Sequence, residues 1–435
     1  MFLKSQNLKI NKKYLSFLEK KYGAPLWMYP LADRDFLTYN RDTFYTHEEH
    51  MKTIQGFFKF TIELLEKIKP DFIIMPPAES MELLVLHNVA RQMNIPTLMI
   101  SSTRTGDRFA IHRDTYQKFE KIFAIYDKLL KGDYKSPYKK NAINYIKEFR
   151  RRGTVFAEYK ASYAGQREFF ESIFKTPIKT LKRAWYYFYN YHFGYFKNDY
   201  MYKNKSPIKL ALRESKVRIR RAFLKRSKIF EKPNYEELYV YFPLHYEPEI
   251  AQLLLAPFYI DQISLVENIA KCLPINFKLY VKEHPMMVGF RPMSSYQRLL
   301  RMPNIRLIDP FVNSYELSKN AQLVTVITGS AGWEALLLKK PVITFGHVFF
   351  NKLDMVKKAE SIASLPELIR NALENYKHDE KQLINFVTAI FEGSFSMTPF
   401  DINKLGISET LSCPDFNVVA DALANEMGLK PLAPQ

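Results

Sequence analysis

A lysine, a glutamate and a histidine stand together where an apolar run ends in the second half of the chain. The run FKLYVKEHP, residues 277–285, reads as a buried parallel strand that ends in Lys282, Glu283 and His284. An imidazole can donate to a phosphate oxygen and an ammonium adds a point charge, whereas Pro285 cannot join a strand ladder. We therefore predict a phosphate-binding site, in which His284 and Glu283 are catalytic and Lys282 binds the phosphorylated substrate. The alternative is a surface Lys–Glu pair beside a histidine that caps a loop.

A second polar turn, Thr328-Gly329-Ser330, follows the apolar run LVTVI and opens a helical pattern. Glycine allows close approach to the backbone, and the free N–H groups of a first helical turn attract anions. Ligands of open α/β sheets bind outside the carboxyl ends of the strands, so both turns are expected to contact one phosphorylated, nucleotide-linked substrate. Glu334, one turn into the helix, is a candidate partner of a ribose hydroxyl. The alternative is an ordinary helix start whose acidic residue favours the helix dipole.

Other candidates follow further predicted strands. His245 comes after the run 237–244, where a first βα loop would overhang the cleft, and we predict that it binds the donor. In the N-terminal half, Glu79 follows DFIIM, and Arg104 and Arg108 follow PTLMIS. If two Rossmann-like domains face each other, Glu79 is the candidate general base for an acceptor hydroxyl and both arginines lie on the acceptor side. For His245 and Glu79 the alternatives are a loop histidine and a helix-start glutamate without catalytic role.

The spacing of apolar residues predicts the elements that position these side chains. Strands alternate with helices in the N-terminal half and again from residue 233, where Asp261 is a predicted helix N-cap. Such alternation implies parallel sheets and an α/β fold. The predicted divisions are an N-terminal Rossmann-like acceptor-side domain (1–130), a helical, basic and aromatic connecting region (131–232), a C-terminal Rossmann-like domain for the nucleotide-linked substrate (233–380) and a helical tail (381–435).

The net charge of +19 is concentrated in one window. Residues 181–228 contain fourteen Lys or Arg and only two acidic residues, and the part 181–202 holds eleven aromatic residues. Aromatic and basic side chains together suit a lipid headgroup region, so we predict contact with an anionic membrane surface, through cations that include Arg218, Arg220 and Arg221. The alternative is a solvated insertion whose aromatic residues pack on the core. Because no nucleic-acid module is apparent, we expect no nucleic-acid partner.

The cysteines and the missing motifs bound the remaining classes. Cys272 and Cys413 are the only cysteines and form no CxxC pair, and we identify no secretory signal or membrane-spanning run. We therefore expect a cytoplasmic protein, peripheral at the inner face of the membrane. No Walker A sequence, GxGxxG or zinc-ligand spacing is present, so we expect neither a metal nor a cofactor.

Several motifs, in this order, resemble those of the capsule polysaccharide biosynthesis family, which includes bacterial β-Kdo transferases. The segments are FPLHYEPE, the Asp261-Gln262 pair, YVKEHP, NIRLIDP and TGSAGWEALLLKKPVITFG, and the resemblance covers residues 235 to 375 and, in outline, the region up to residue 130. The HP pair with its following hydroxyl motif is also similar to that of bacterial sialyltransferases, which use CMP-sugars. The resemblance implies a GT-B fold, with two Rossmann-like domains facing a central cleft and the donor held mainly by the C-terminal one.

The same resemblance implies a function. His284 would contact the donor phosphate, and Thr328 or Ser330 would hold the nucleotide. The implied reaction transfers a sugar from a nucleotide-sugar, expected to be CMP-linked and Kdo-like, to a glycan or lipid-linked acceptor. Two alternatives stay open: a CDP-polyol phosphotransferase of the teichoic-acid type, which shares the fold, and a non-catalytic scaffold of a capsule assembly or export complex.

Overall fold

The predicted α/β fold with two Rossmann-like domains is confirmed in a computed structural model. It describes residues 7–22, 25–33, 45–116, 118–153, 207–397 and 414–429, with a few positions between 182 and 193. The strands are β1 (Ile73–Ile74), β2 (Thr97–Ser102), β3 (Arg108–His112), β4 (Tyr239–Pro243), β5 (Lys278–Lys282), β6 (Ile305–Ile308), β7 (Leu323–Val326), β8 (Val342–Thr344), β9 (Val356–Lys358) and β10 (Phe395–Ser396).

The α-helices precede, separate and follow these strands along the chain. They are α1 (Lys12–Tyr22), α2 (Met28–Leu31), α3 (His47–Ile68), α4 (Met81–Gln92), α5 (Glu120–Lys131), α6 (Lys139–Arg152), α7 (Pro207–Arg226), α8 (Ile250–Leu255), α9 (Gln262–Lys271), α10 (Met293–Leu300), α11 (Ser314–Asn320), α12 (Ser330–Leu337), α13 (Leu365–Glu374), α14 (Glu380–Glu392) and α15 (Pro414–Glu426). Short 3₁₀ turns cover Pro257–Tyr259, Pro285–Met287, Phe349–Lys352 and Ile362–Ser364.

The C-terminal sheet is parallel throughout, with the strand order β6-β5-β4-β7-β8-β9. Its central strand β4 is buried on both faces: Tyr239 and Tyr241 pack into the core shared with α5, α6, α12 and α14, whereas Val240 and Phe242 pack into the core shared with α9, α10 and α13. Burial on both faces explains why this strand is a continuous apolar run rather than an alternating one.

The N-terminal sheet has the order β1-β2-β3-β10 and is mixed. Only β1 and β2 pair in parallel, and β3 and β10 join antiparallel. The expectation of a parallel sheet therefore holds for the first two strands alone. Arg108 was predicted only as a residue that follows the PTLMIS strand, but it begins β3. A short return strand needs no intervening helix, so the βαβ pattern could not reveal it.

The C-terminal part of the chain returns to the other domain. Helix α14 packs against α5 and α6, and Arg150 of α6 binds both carboxylate oxygens of Glu380 at 2.6 and 2.9 Å. β10 then extends the N-terminal sheet beside β3. Much of the predicted basic and aromatic region, and residues 398–413 of the predicted tail, lie outside the described residues. Within the described part of the chain, no helix is long and apolar enough to cross a bilayer.

Candidate functional site

The carboxyl ends of three neighbouring strands bring predicted donor-binding residues to one edge of the C-terminal sheet. β4 lies between β5 and β7, and Pro243 pairs with Lys282 in the parallel register. His245 follows β4, His284 follows β5 and Thr328 follows β7. Parallel pairing aligns the strand ends, so three motifs that are far apart in the sequence meet at this edge.

A buried arginine joins the loops after β4 and β5. Nε of Arg291 donates to Oε2 of Glu283 at 2.6 Å, and Nη1 donates to Oε2 of Glu247 at 3.1 Å. Glu283 also accepts from the backbone N–H of His284 at 2.7 Å and from the hydroxyl of Tyr296 at 2.9 Å. Burial opposes the charge of Arg291, but attraction to Glu283 and Glu247 raises its pKa above the usual value. These contacts give Glu283 a structural task, which is to orient the His284 backbone.

The loop after β4 is held from a second side by Gln262, at the start of α9. Its Oε1 accepts from the backbone N–H of His245 at 2.7 Å, and its Nε2 donates to a carboxylate oxygen of Glu247. The predicted N-cap Asp261 accepts from the backbone N–H of Ser264 at 3.3 Å. The neighbouring pair Asp261-Gln262 therefore starts a helix and fixes the loop that carries His245.

His245 connects the β4 loop to the turn after β7. Its Nε2 accepts from the backbone N–H of Thr328 at 3.4 Å, and its Nδ1 donates to Oε2 of Glu249, which lies 2.6 Å away. Burial opposes ionisation of Glu249, but its interactions with His245 and the charge of Arg104 hold the pKa of that carboxyl below its usual range. His245 therefore helps to hold in place the turn after β7 that contains Thr328.

The start of α12 offers polar groups without a protein cap. Gly329 is the N-cap residue and supplies no side-chain hydrogen bond, and Ser330 opens the helix. The hydroxyl of Thr328 is buried and makes no hydrogen bond to any described residue. A helix start of this kind carries partial positive charge and suits a phosphate or another anion.

His284 is held in one tautomer. Its Nδ1 accepts from the backbone N–H of Met286 at 3.2 Å, so the neutral ring carries its proton on Nε2. The ring also lies against Tyr246, with 5.9 Å between ring centroids. Burial and the neighbouring Lys282 lower the pKa of His284 to about 4. At pH 7 the side chain of His284 is therefore neutral, and its Nε2–H group can donate a hydrogen bond.

Two groups of opposite charge, Lys282 and Glu334, interact at this edge of the sheet. Burial lowers the pKa of Lys282 to about 8, although the carboxylates of Asp309 and Glu283 oppose the shift. Burial also raises the pKa of Glu334 to about 7, although Lys282 and Arg104 oppose it. At pH 7 Lys282 still carries its charge, whereas Glu334 titrates near neutrality. This edge of the sheet therefore carries the ammonium group of Lys282 and the carboxyl group of Glu334. The charge of the Glu334 carboxyl at pH 7 depends on small changes in its surroundings.

The N-terminal domain contributes Arg104 to the same edge. Its Nη1 donates to the backbone carbonyl of Thr328 at 3.1 Å, and its backbone is left-handed at φ 56°. Lys118 lies nearby: burial lowers its pKa, Glu79 opposes the shift and Arg104 adds to it. The exposed Glu79 and Arg104 therefore both interact with Lys118, and all three residues belong to the N-terminal domain.

Arg108, the other predicted acceptor-side arginine, binds elsewhere. Its guanidinium donates to the backbone carbonyls of Phe391 and Ser394 and, at 3.0 Å, to the hydroxyl of Ser394. We therefore remove Arg108 from the acceptor side and assign it to anchoring the C-terminal segment. Among the described residues, no group of three or more His, Cys, Asp or Glu side chains could hold a metal ion.

Residues 260–364 match the sequence profile of the family described as capsule polysaccharide biosynthesis protein. This segment is similar to the capsule polysaccharide biosynthesis family. The matched range contains β5 to β9, with Lys282, His284 and the turn after β7. The resemblance drawn from the motifs is confirmed here.

Other similarities are weaker. Protein FixF of Sinorhizobium fredii (strain NBRC 101917 / NGR234) is 28% identical over 200 residues, which cover 43% of this chain and 46% of that protein. The chain thus spans about half the length of this curated relative. Thermosulfurimonas dismutans KpsC, beta Kdo 2,4 transferase, has 14% identity and a TM-score of 0.39, over 73% of this chain and 79% of that one. UDP-GlcNAc 2-epimerase of Methanocaldococcus jannaschii has 15% identity and a TM-score of 0.31, over 80% and 82%. Similarity at this level does not extend to substrate or reaction.

The sequence did not reveal the roles of three residues of this site. Arg291 and Lys118 lie outside every motif that drew attention, and Gln262 was noticed only as part of the Asp261-Gln262 pair. A lone arginine or lysine in a charged chain carries no signal of burial. Only the fold reveals that Arg291 lies between two carboxylates.

Proposed function

We propose that this protein is a glycosyltransferase of surface, capsular polysaccharide biosynthesis that transfers a sugar from a nucleotide-sugar donor to a glycan or lipid-linked acceptor. The observation that carries the proposal is the meeting of Lys282, His284 and the uncapped start of α12 at one sheet edge, inside the segment that matches the capsule family. A cation, a neutral N–H donor and a helix start are complementary to a departing nucleotide phosphate.

The donor side has three tasks in this proposal. His284 donates from Nε2 to the donor phosphate, and Lys282 neutralises charge that develops on the leaving nucleotide. The backbone of Gly329 and Ser330, with the Thr328 hydroxyl, binds the nucleotide, and Glu334 accepts from a ribose hydroxyl. His245 and Glu283 hold these groups in position. The reaction needs no metal in this scheme because protein cations and dipoles stabilise the leaving group.

The acceptor side is formed by the N-terminal domain. Glu79 is the proposed general base for the acceptor hydroxyl, and Arg104 and Lys118 attract an anionic acceptor. Glu79 is exposed, so its carboxylate is accessible to an entering glycan. The proposed donor is a CMP-linked, Kdo-like sugar, on the strength of the motif resemblance. The proposed location is the cytoplasm, at the inner face of the membrane.

Calorimetric titration with CMP, CDP, UDP and GDP tests the donor assignment. We expect the wild type to bind CMP, His284→Ala to lose at least tenfold in affinity, and His284→Gln to recover part of it because its amide can still donate. His47→Ala, which removes an exposed histidine at the start of α3, is the matched control and keeps full affinity. Preference for UDP or GDP would overturn the CMP donor. Absence of all nucleotide binding would favour a non-catalytic scaffold.

A CDP-polyol phosphotransferase is separated by its products. In a glycosyltransferase that uses a CMP-sugar, the phosphate stays with the nucleotide. In the phosphotransferase, the diphosphate of the CDP-polyol is cleaved, so that one phosphate moves with the polyol to the acceptor and CMP is released. Phosphorus NMR of the acceptor product distinguishes them, since a new phosphodiester in the product would contradict glycosyl transfer.

A further inference from the structure

Helix α7 presents two different faces along its length. Val217, Arg221 and Leu224 recur at the i, i+4, i+7 spacing of one helical stripe and are buried. Leu212, Ile219 and Phe223 share the opposite stripe and are 59%, 70% and 57% exposed. A helix with three large apolar side chains turned to solvent is not explained by packing within the described part of the chain.

Arg221 of the buried stripe and the neighbouring Arg220 attach α7 to residues 288–290 of the loop after β5, called here the donor loop. Nε of Arg221 donates to the carbonyl of Val288 at 3.0 Å, and Nη1 of Arg220 donates to the carbonyl of Phe290 at 3.1 Å. Gly289 lies between these carbonyls at φ 85°, where a Cβ would stand 2.6 Å from Cγ of Arg221. Arg220 and Arg221 were predicted to be membrane cations; instead they hold the loop that leads to Arg291.

The exposed stripe is flanked by cations. Lys216 and Arg226 lie on either side of it and are exposed. The described aromatic side chains between residues 182 and 193 are exposed as well, and they are Trp185, Tyr186, Phe188, Tyr189 and Phe193. Apolar and aromatic groups bordered by Lys and Arg suit the boundary between acyl chains and anionic headgroups.

We infer that the stripe Leu212, Ile219 and Phe223 of α7, with Lys216 and Arg226, docks on an anionic phospholipid surface. This outward stripe, called here the docking stripe, inserts its apolar side chains at the headgroup boundary while the two cations contact lipid phosphates. The buried stripe then holds the donor edge of the protein near the bilayer. The inference specifies a surface for the membrane partner predicted from the sequence, and lipid binding needs no sugar transfer.

Flotation of the full chain with vesicles measures this directly. We expect binding to phosphatidylglycerol-rich vesicles and little binding to pure phosphatidylcholine vesicles. Each Lys or Arg near an anionic surface contributes roughly fivefold, so Lys216→Gln with Arg226→Gln should weaken binding roughly thirtyfold. Ile219→Ser with Phe223→Ser should weaken it at least as much, because the apolar insertion is lost.

Matched controls separate the docking stripe from general charge and stickiness. Ile275→Ser removes a fully exposed apolar side chain outside α7, and Lys357→Gln removes an exposed cation on β9. Both should bind vesicles as the wild type does. Urea denaturation of every variant checks that the fold persists, and nucleotide affinity is measured separately, so a failure of lipid binding is distinct from a failure of the donor assignment.

Four results would overturn the inference. Wild-type protein that ignores anionic vesicles, or stripe variants that float as well as wild type, would remove the lipid partner. Self-association that the Ile219→Ser, Phe223→Ser variant abolishes, without vesicle binding, would make a second copy of this chain the occupant. Binding to a polyanion such as polyuridylate, lost only on removal of the cations, would assign the surface to nucleic acid instead.

Discussion

Replacement of Arg291 by methionine should destabilise the protein and should also loosen the loops at the sheet edge where the donor is proposed to bind. Arg291, Glu283 and Glu247 are 3%, 1% and 6% exposed, so water cannot compensate the two carboxylates once the guanidinium is gone. Removal of one partner from a buried ion pair costs about 3–5 kcal/mol. We expect a loss of this size in the free energy of unfolding, measured by urea denaturation. Nucleotide affinity should fall as well, since the loops carrying His245 and His284 lose their common anchor.

A surface arginine provides the matched control. Arg298 binds Glu267 at 2.7 Å, but its side chain is 44% exposed. Exposed ion pairs contribute about 0–1 kcal/mol, so Arg298→Met should leave both stability and nucleotide affinity nearly unchanged. The two variants remove the same chemical group from pairs of similar geometry and differ in burial.

A combined variant separates charge from packing. Arg291→Met together with Glu283→Gln and Glu247→Gln removes the stranded charges, and we expect it to recover much of the stability lost in Arg291→Met alone. A loss below about 1 kcal/mol for Arg291→Met, equal to that of the Arg298 control, would refute the view that a desolvated ion-pair network holds this edge.

Three other predictions concern separate parts of the structure. Because the folded-state pKa of Lys282 is lowered from 10.5 to about 8, its ammonium destabilises the fold below about pH 8 by roughly 3 kcal/mol, and this penalty disappears as the pH rises toward 10.5. Lys282→Met should therefore raise the free energy of unfolding at pH 7 and abolish nucleotide binding; a less stable variant would contradict the burial argument. Gly289→Ala should cost roughly 1–3 kcal/mol more than Gly132→Ala, which has a similar φ but nothing within 4 Å, and equal losses in urea denaturation would argue against a tight contact with α7. Arg108→Met should make the C-terminal segment sensitive to limited proteolysis while nucleotide affinity stays unchanged, and a loss of acceptor binding without that sensitivity would return Arg108 to the acceptor side.

The donor sheet could be predicted from the sequence because its signals are local. Apolar runs that end in polar residues marked β5 and β7, and Asp261 was predicted correctly as a helix N-cap. A buried parallel strand requires an apolar run, and the end of the strand requires polar residues. A few consecutive residues are therefore enough to predict such a strand and its end.

Interactions between distant segments could not be predicted in the same way. The role of Glu283 depends on Arg291, which no motif singled out, and that of Arg108 depends on carbonyls of a segment far along the chain. Charge alone also misplaced Arg220 and Arg221, since the sequence does not reveal which side of α7 packs on the donor loop. Long-range partners of charged side chains are set by the fold.

The most direct test of the central claim is release of CMP from a CMP-linked Kdo donor in the presence of a lipid-linked acceptor, compared between wild type and His284→Ala. We predict acceptor-dependent release of CMP with transfer of the sugar by the wild type, and loss of nearly all transfer in His284→Ala with an unchanged unfolding curve. Transfer at the wild-type rate by His284→Ala would contradict the assignment of this histidine, and donor binding without any transfer would contradict the proposed reaction.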